Sequence, residues 1–213
     1  FNFIREMDIL CTLRGSKSQL TRLRVQQWVS EYATVRNIEN YISGEVNTMS
    51  RQQVSRQYFE KMYNSRIIVT VNPANWEGDF RLWESFATGA LIFVDPVLTP
   101  HPFPLQDGVH VIYFSNSNKA DLWKKLDYYR ANPEIARKIA IAGYLHAMKY
   151  HRAVSLADYV LRSAHLKRAS RRKAIAVPNY RYTGQYLTEQ VESQVAKIKR
   201  TQYPGEFTNE GRQ

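Results

Sequence analysis

The chain has 213 residues, 44% of them hydrophobic and 13% aromatic, which exceeds what disordered chains carry and is enough for a packed core. No run of about 18 apolar residues occurs, so no membrane-spanning helix is encoded, and one cysteine excludes an internal disulfide or a cysteine-based zinc site. A net charge of +11 favours anionic partners, whether nucleotide phosphates, nucleic acid or an acidic membrane surface, and does not choose among them.

In chain order, Met7 to Leu13 reads as a short buried strand, followed by the turn Arg14-Gly15-Ser16-Lys17-Ser18. Leu20, Leu23, Val25, Trp28 and Val29 then recur at helical spacing, predicting a helix from Leu20 to Tyr32. A weak strand is expected near Ala33 to Ile38, a polar linker around Ser43-Gly44-Glu45, and a helix from Ser50 to Asn64 with Tyr58, Phe59 and Met62 on one face. Arg66 to Val71 is β-branched and continuous, as in a strand buried on both faces of a parallel sheet. A short helix over Asp79 to Thr88 is closed by Gly89, and Ala90 to Val94 forms the next strand. A proline-rich loop leads to the turn Asp107-Gly108 and a strand from His110 to Phe114. Helices follow at Lys119 to Arg130, Pro133 to His151 and Val154 to Lys167. Residues 168–182 are basic with few apolar positions, and Thr188 to Ile198 is read as one more amphipathic helix.

Strands alternating with helices of this length predict an α/β fold: a Rossmann-like, doubly wound parallel sheet with right-handed crossovers. Ligands of such sheets sit beyond the carboxyl ends of the strands. Three places qualify: the turn after Leu13, the turn after Val71 and the loop after Val94. The second is the most informative. There a buried strand feeds a polar, glycine-containing loop and then a helix bearing Arg81 and Glu84, three apart and on one face. The helix start suits a phosphate, a guanidinium adds two-pronged capture of its oxygens, and a carboxylate one turn on can accept both hydroxyls of a ribose. Taken alone, Arg81 and Glu84 read more readily as a surface ion pair, and the surrounding motifs turn the balance toward a site. Asp95 suits either a site residue or the cap of its loop. Trp83 and His151 read as packing residues, and Cys11 as a small apolar core residue.

The run Asn72 … Gly78-Asp79-Phe80-Arg81-Leu82-Trp83-Glu84-Ser85-Phe86-Ala87-Thr88-Gly89-Ala90 … Asp95 resembles the donor-site motif of the spore-coat CgeB-like glycosyltransferases, within the wider GT-B group. Asp107 to Phe114 is similar to that family's D-G-x-x-V-V-Y-Y strand. Asp121-Leu122-Trp123 … Asn132-Pro133-Glu134 … Ile139-Ala140 … Gly143 is similar to its helical ending. The resemblance covers about Met7 to Lys167.

It implies the C-terminal, donor-binding half of a GT-B enzyme over residues 1–167, with a basic extension, helical or irregular, at 168–213. The enzyme would be a hexosyl- or related transferase. The donor would be a nucleotide-diphosphate sugar, with no cofactor and no metal required. Asn72, Asp79, Arg81, Leu82 and Glu84 would form the donor site, with Arg14 and Lys17 from the first turn near the diphosphate. Glu84 matches the second of the family's paired glutamates, which grips the ribose. The first is not matched: Trp76 stands eight places earlier, and Glu77 is one place late. The acceptor, whether glycan, protein or small molecule, and the general base would come from a missing N-terminal domain. The start at Phe1, without a signal sequence, agrees with such a domain preceding it. No nucleic acid is expected as partner. The cluster Lys167-Arg168-Ala169-Ser170-Arg171-Arg172-Lys173 is either a solvated segment or a peripheral contact to an anionic membrane or glycan. Two rival readings are a nucleic-acid or polyanion module using the net charge, and an inactive glycosyltransferase-like interaction domain.

Overall fold

The computed structural model describes residues 5–13, 19–44, 56–73, 79–97 and 101–172. Among these residues five strands form one all-parallel sheet: β1 (Met7–Thr12), β2 (Tyr41–Gly44), β3 (Ser65–Val69), β4 (Leu91–Val94) and β5 (Ile112–Tyr113), in the order β2-β1-β3-β4-β5. Six helices accompany them: α1 (Leu20–Val35), α2 (Arg56–Tyr63), α3 (Phe80–Thr88), α4 (Lys119–Ala131), α5 (Pro133–Tyr150) and α6 (Ala153–Arg172). This is the doubly wound α/β architecture expected from the sequence.

The two-residue periodicity of the strands decides which helix covers which face. Ile9 and Cys11 of β1, Ile67 and Val69 of β3, and Leu91 and Phe93 of β4 bury against Val25, Val29, Tyr32 and Ala33 of α1 and Leu122 and Leu126 of α4. The alternate residues Leu10, Ile68, Ile92 and Val94 bury against Met62 of α2 and Leu82 and Phe86 of α3. Helix α5 takes part in both layers. Ala136, Ile139 and Ala140 belong to the first and Ala147 to the second. It passes so close to its neighbours that a Cβ added at Gly143 would lie 2.2 Å from the His110 carbonyl oxygen and 2.9 Å from Phe86 Cε1.

Several boundaries depart from expectation. The segment expected as a strand near Ala33 to Ile38 instead completes α1, because Tyr32 and Ala33 continue the buried stripe of Val25 and Val29. Asn37, with φ 51°, turns the chain out of the helix, and buried Ile38 plugs the core behind it. The expected linker at Ser43-Gly44 is the end of the edge strand β2, while Glu45 lies outside the described residues. The described part of the helix expected from Ser50 is Arg56–Tyr63. Of the strand expected at His110 to Phe114 only Ile112–Tyr113 is regular. Val111 instead bridges Asp107 across a turn in which the Asp107 carboxylate accepts the Tyr113 N–H at 2.7 Å. Gly89 ends α3 in the left-handed conformation, with φ 68°. Helix α6 extends to Arg172, beyond the expected Lys167, whereas the helix expected at Thr188 to Ile198 lies outside the described residues.

The chain divides into two compact units, residues 1–99 with 105–157 and residues 100–104 with 158–213. The first holds the sheet and α1 to α5. In the second, Phe103 meets Tyr159 edge-on at 5.5 Å and Arg162 pairs with Asp158. Among the described residues no helix is long and apolar enough to cross a membrane.

Candidate functional site

The strand order reverses direction between β1 and β3, since α1 leads from β1 outward to β2 and α2 carries the chain back to β3. The crevice beyond the carboxyl ends of those two strands is the switch point at which open α/β sheets take their ligands. Helices α1 and α3 follow β1 and β3 on that side, and α2 packs against α3 through Tyr58.

Helix α3 begins at Asp79. An aspartate in that position usually caps the first N–H groups of the helix, but Asp79 makes no such bond. Its carboxylate pairs instead with the Arg22 guanidinium from the first turn of α1. Arg22 is only 5% exposed, and its Nε donates to the Val71 carbonyl at 3.2 Å. Burial lowers the Arg22 pKa from its ordinary value, the Asp79 charge opposes this, and the positive charge of Arg81 adds to it. Arg81 also acts on Cys11 near the end of β1. Burial pushes that thiol up to about 12, and Arg81 pulls in the other direction. Of these two arginines, Arg22 is tied to the start of α3 and to the loop after β3, and Arg81 is tied to α2.

Arg81 and Glu84 are both half-buried on α3, and they are linked through Tyr58 of α2 rather than directly. The Tyr58 hydroxyl accepts from Arg81 Nε at 3.1 Å and donates to Glu84 Oε2 at 2.9 Å. The guanidinium carbon lies 5.9 Å from the Tyr58 ring centroid. Burial pushes the phenol up to about 12, so Tyr58 keeps its proton and remains a donor at ordinary pH. Arg81 Nη1 is buried and makes no hydrogen bond among the described residues, and neither does the hydroxyl of Thr70, 1% exposed just past β3. Buried donors left in this state are costly unless a ligand or water satisfies them.

The other expected residues fall as follows. Asn72 is buried in the loop after β3, where its backbone N–H and its Nδ2 donate to Asp95 Oδ1 at 2.8 and 3.1 Å. The second Asp95 oxygen accepts Asn116 Nδ2 at 3.0 Å, so one carboxylate joins the loops after β3, β4 and β5. Burial raises the Asp95 pKa above its ordinary value, and the bonds from Asn72 and Asn116 oppose the rise. Leu82 is fully buried in the second core layer, and its N–H donates to the Asp79 carbonyl at 3.0 Å. Arg14, Lys17, Trp76 and Glu77 lie outside the described residues. Trp83 packs inside, stacked 4.2 Å from His151 and 6.0 Å from Phe86. Sequence reasoning missed Arg22, whose partner stands 57 residues away, and took Tyr58 only as an apolar-face residue. Among the described residues no three or more His, Cys, Asp or Glu side chains are grouped to hold a metal ion.

The loops and helix starts that follow β1 and β3 thus bring together two arginines, Arg22 and Arg81, and two carboxylates, Asp79 and Glu84. Comparison with known proteins bears on the fold and the family. No curated protein sequence matches the chain. Among solved structures it is similar to the C-terminal domain of a glycosyl transferase group 1 family protein (LpcC) from Francisella tularensis, with TM-score 0.51 and 11% identity over 70% of this chain and 88% of that one. At that identity the likeness is one of fold: the sheet and its helices share the architecture of that C-terminal domain. The model of the glycosyl transferase-like family matches residues 8–162, nearly the whole described structure, and the chain belongs to that family.

Proposed function

We propose that this glycosyltransferase domain binds a nucleotide-diphosphate sugar in the crevice beyond β1 and β3 and passes the sugar to an acceptor held elsewhere. The observation that carries the reading is the pairing of Arg81 and Glu84, half-buried and held through Tyr58 at the switch point. In this reading Arg81 Nη1 and the uncapped start of α3 receive the diphosphate, and Glu84 accepts the ribose hydroxyls. Arg14 and Lys17 would add charge from the first turn. The role of Arg22 and Asp79 is to fix where α3 begins, since each already engages the other.

The reaction is departure of the nucleoside diphosphate from a sugar centre of oxocarbenium character. Negative charge then grows on the leaving phosphate oxygens, where fixed cations and helix N–H groups stabilise it at no reorganisation cost. The acceptor, and the base that deprotonates it, are assigned to a separate domain. The likeness to a C-terminal domain supports a donor half, which this proposal assigns to 1–167, with a basic extension over 168–213. The CgeB-like subgroup is part of the same proposal, on the motifs around Asp79 to Asp95 and Asp107 to Phe114.

Titration calorimetry with the diphosphates of uridine, guanosine, adenosine and thymidine tests the reading. One of them is expected to bind with a micromolar-range constant, in chelator as well as without it. Glu84→Ala is expected to abolish that binding and Arg81→Ala to weaken it about tenfold or more. Failure of all four to bind overturns it.

A further inference from the structure

Arg81 and Glu84 stand three apart on α3, a spacing at which opposite charges on a helix pair directly. A direct pair would satisfy both charges internally and withdraw both from a ligand. Such a pair is not what forms. A residue from another helix, Tyr58 in the first turn of α2, places its hydroxyl between them, as acceptor to Arg81 Nε and donor to Glu84 Oε2. Its ring backs the guanidinium and meets Phe59 edge-on at 5.2 Å, which fixes its orientation. Because the hydroxyl uses Nε, the Nη atoms of Arg81 stay outside this bond, and Nη1 is the buried atom without a hydrogen bond among the described residues.

We propose that Tyr58 is a positioning residue for donor binding, one that holds Arg81 and Glu84 apart and presents them to the ligand as a separate cation and carboxylate. The inference rests on the donor-site reading above and adds to it the device by which that site stays open. Tyr58 itself touches no reacting atom. A phenylalanine here would keep the ring and its packing and lose both bonds, leaving Arg81 and Glu84 to close on each other.

The test is Tyr58→Phe in the full chain, alone and combined with Glu84→Gln, titrated with the same four nucleoside diphosphates. Tyr58→Phe is expected to fold with nearly unchanged thermal midpoint and to bind the preferred diphosphate about tenfold more weakly, equivalent to about 1.4 kcal/mol. Glu84→Gln alone is expected to weaken binding, and in the Tyr58→Phe background its effect should be much smaller than in the wild type. A crystal structure of Tyr58→Phe should show Arg81 and Glu84 within ion-pair distance, an outcome independent of nucleotide. Wild-type binding with Tyr58→Phe inside twofold of it, or effects of the two substitutions that simply multiply, overturns the positioning role and leaves the donor reading intact. Absence of binding by the wild type overturns the donor reading, and this inference with it.

Discussion

Arg22 shows how little a residue's own neighbourhood in sequence reveals of its work. In the first turn of α1 an arginine reads as a solvated side chain, and nothing nearby signals otherwise. The fold buries it to 5% exposure and gives it the carboxylate of Asp79 and the carbonyl of Val71. Removing one partner of such a pair leaves the other charge buried and uncompensated. Arg22→Ala should therefore lower stability by about 3 kcal/mol, seen as a lower urea midpoint at unchanged slope. The double replacement Arg22→Met with Asp79→Leu should recover much of the loss, and a single variant as stable as the wild type would show that the pair contributes nothing. Glu84 and Arg81 were singled out because they fall inside a recognisable run, whereas the bond that Tyr58 makes to Glu84 was not foreseeable, since its partner stands 26 residues away on another helix. Asp95 was left between two roles by its sequence. Its bonds to Asn72 and Asn116 show it fastening three loops.

At the scale of elements, the strands that could be placed from sequence are those buried on both faces. β1, β3 and β4 each hold an unbroken apolar run, Ile9 to Cys11, Ile67 to Val69 and Leu91 to Val94, and each strand lies within about two residues of its expected span. The edges were harder. β2 is only half-buried along its length and ends in Ser43-Gly44, a composition that also describes a linker. β5 has two residues, because the Asp107 turn uses the preceding ones. The β-branched pair Thr34-Val35 suggested a strand, but the packing of Tyr32 and Ala33 against the sheet outweighs local propensity. Close packing also explains Gly143 in the middle of α5. A methyl group there meets a backbone carbonyl at 2.2 Å, which no rotamer change relieves. Gly143→Ala should gain helix propensity yet cost about 1–3 kcal/mol net, lowering the thermal midpoint by several degrees. An unchanged or raised midpoint would mean that α5 can shift away.

For the whole molecule, the net charge of +11 is compatible with several anionic partners, and only the arrangement of the crevice favours a small one. Retention of single-stranded RNA at about 50 mM salt, if any, should vanish near 300 mM and be indifferent to Glu84→Ala, because it would come from charge alone. Nucleoside diphosphate binding should behave oppositely, persisting at the higher salt and failing in Glu84→Ala. RNA binding that survives salt and depends on Glu84 would reverse the assignment.

The course of α5 has a consequence for how the molecule comes apart. Its first half shares a core with α1 and α4, and its second half shares one with α2 and α3. Neither layer can melt while the other keeps α5 in place, so damage to either side is felt by both. The sheet and its two coats should therefore unravel in one cooperative event, with a single calorimetric peak and backbone amides on opposite sides exchanging their hydrogens at a common, slowest rate.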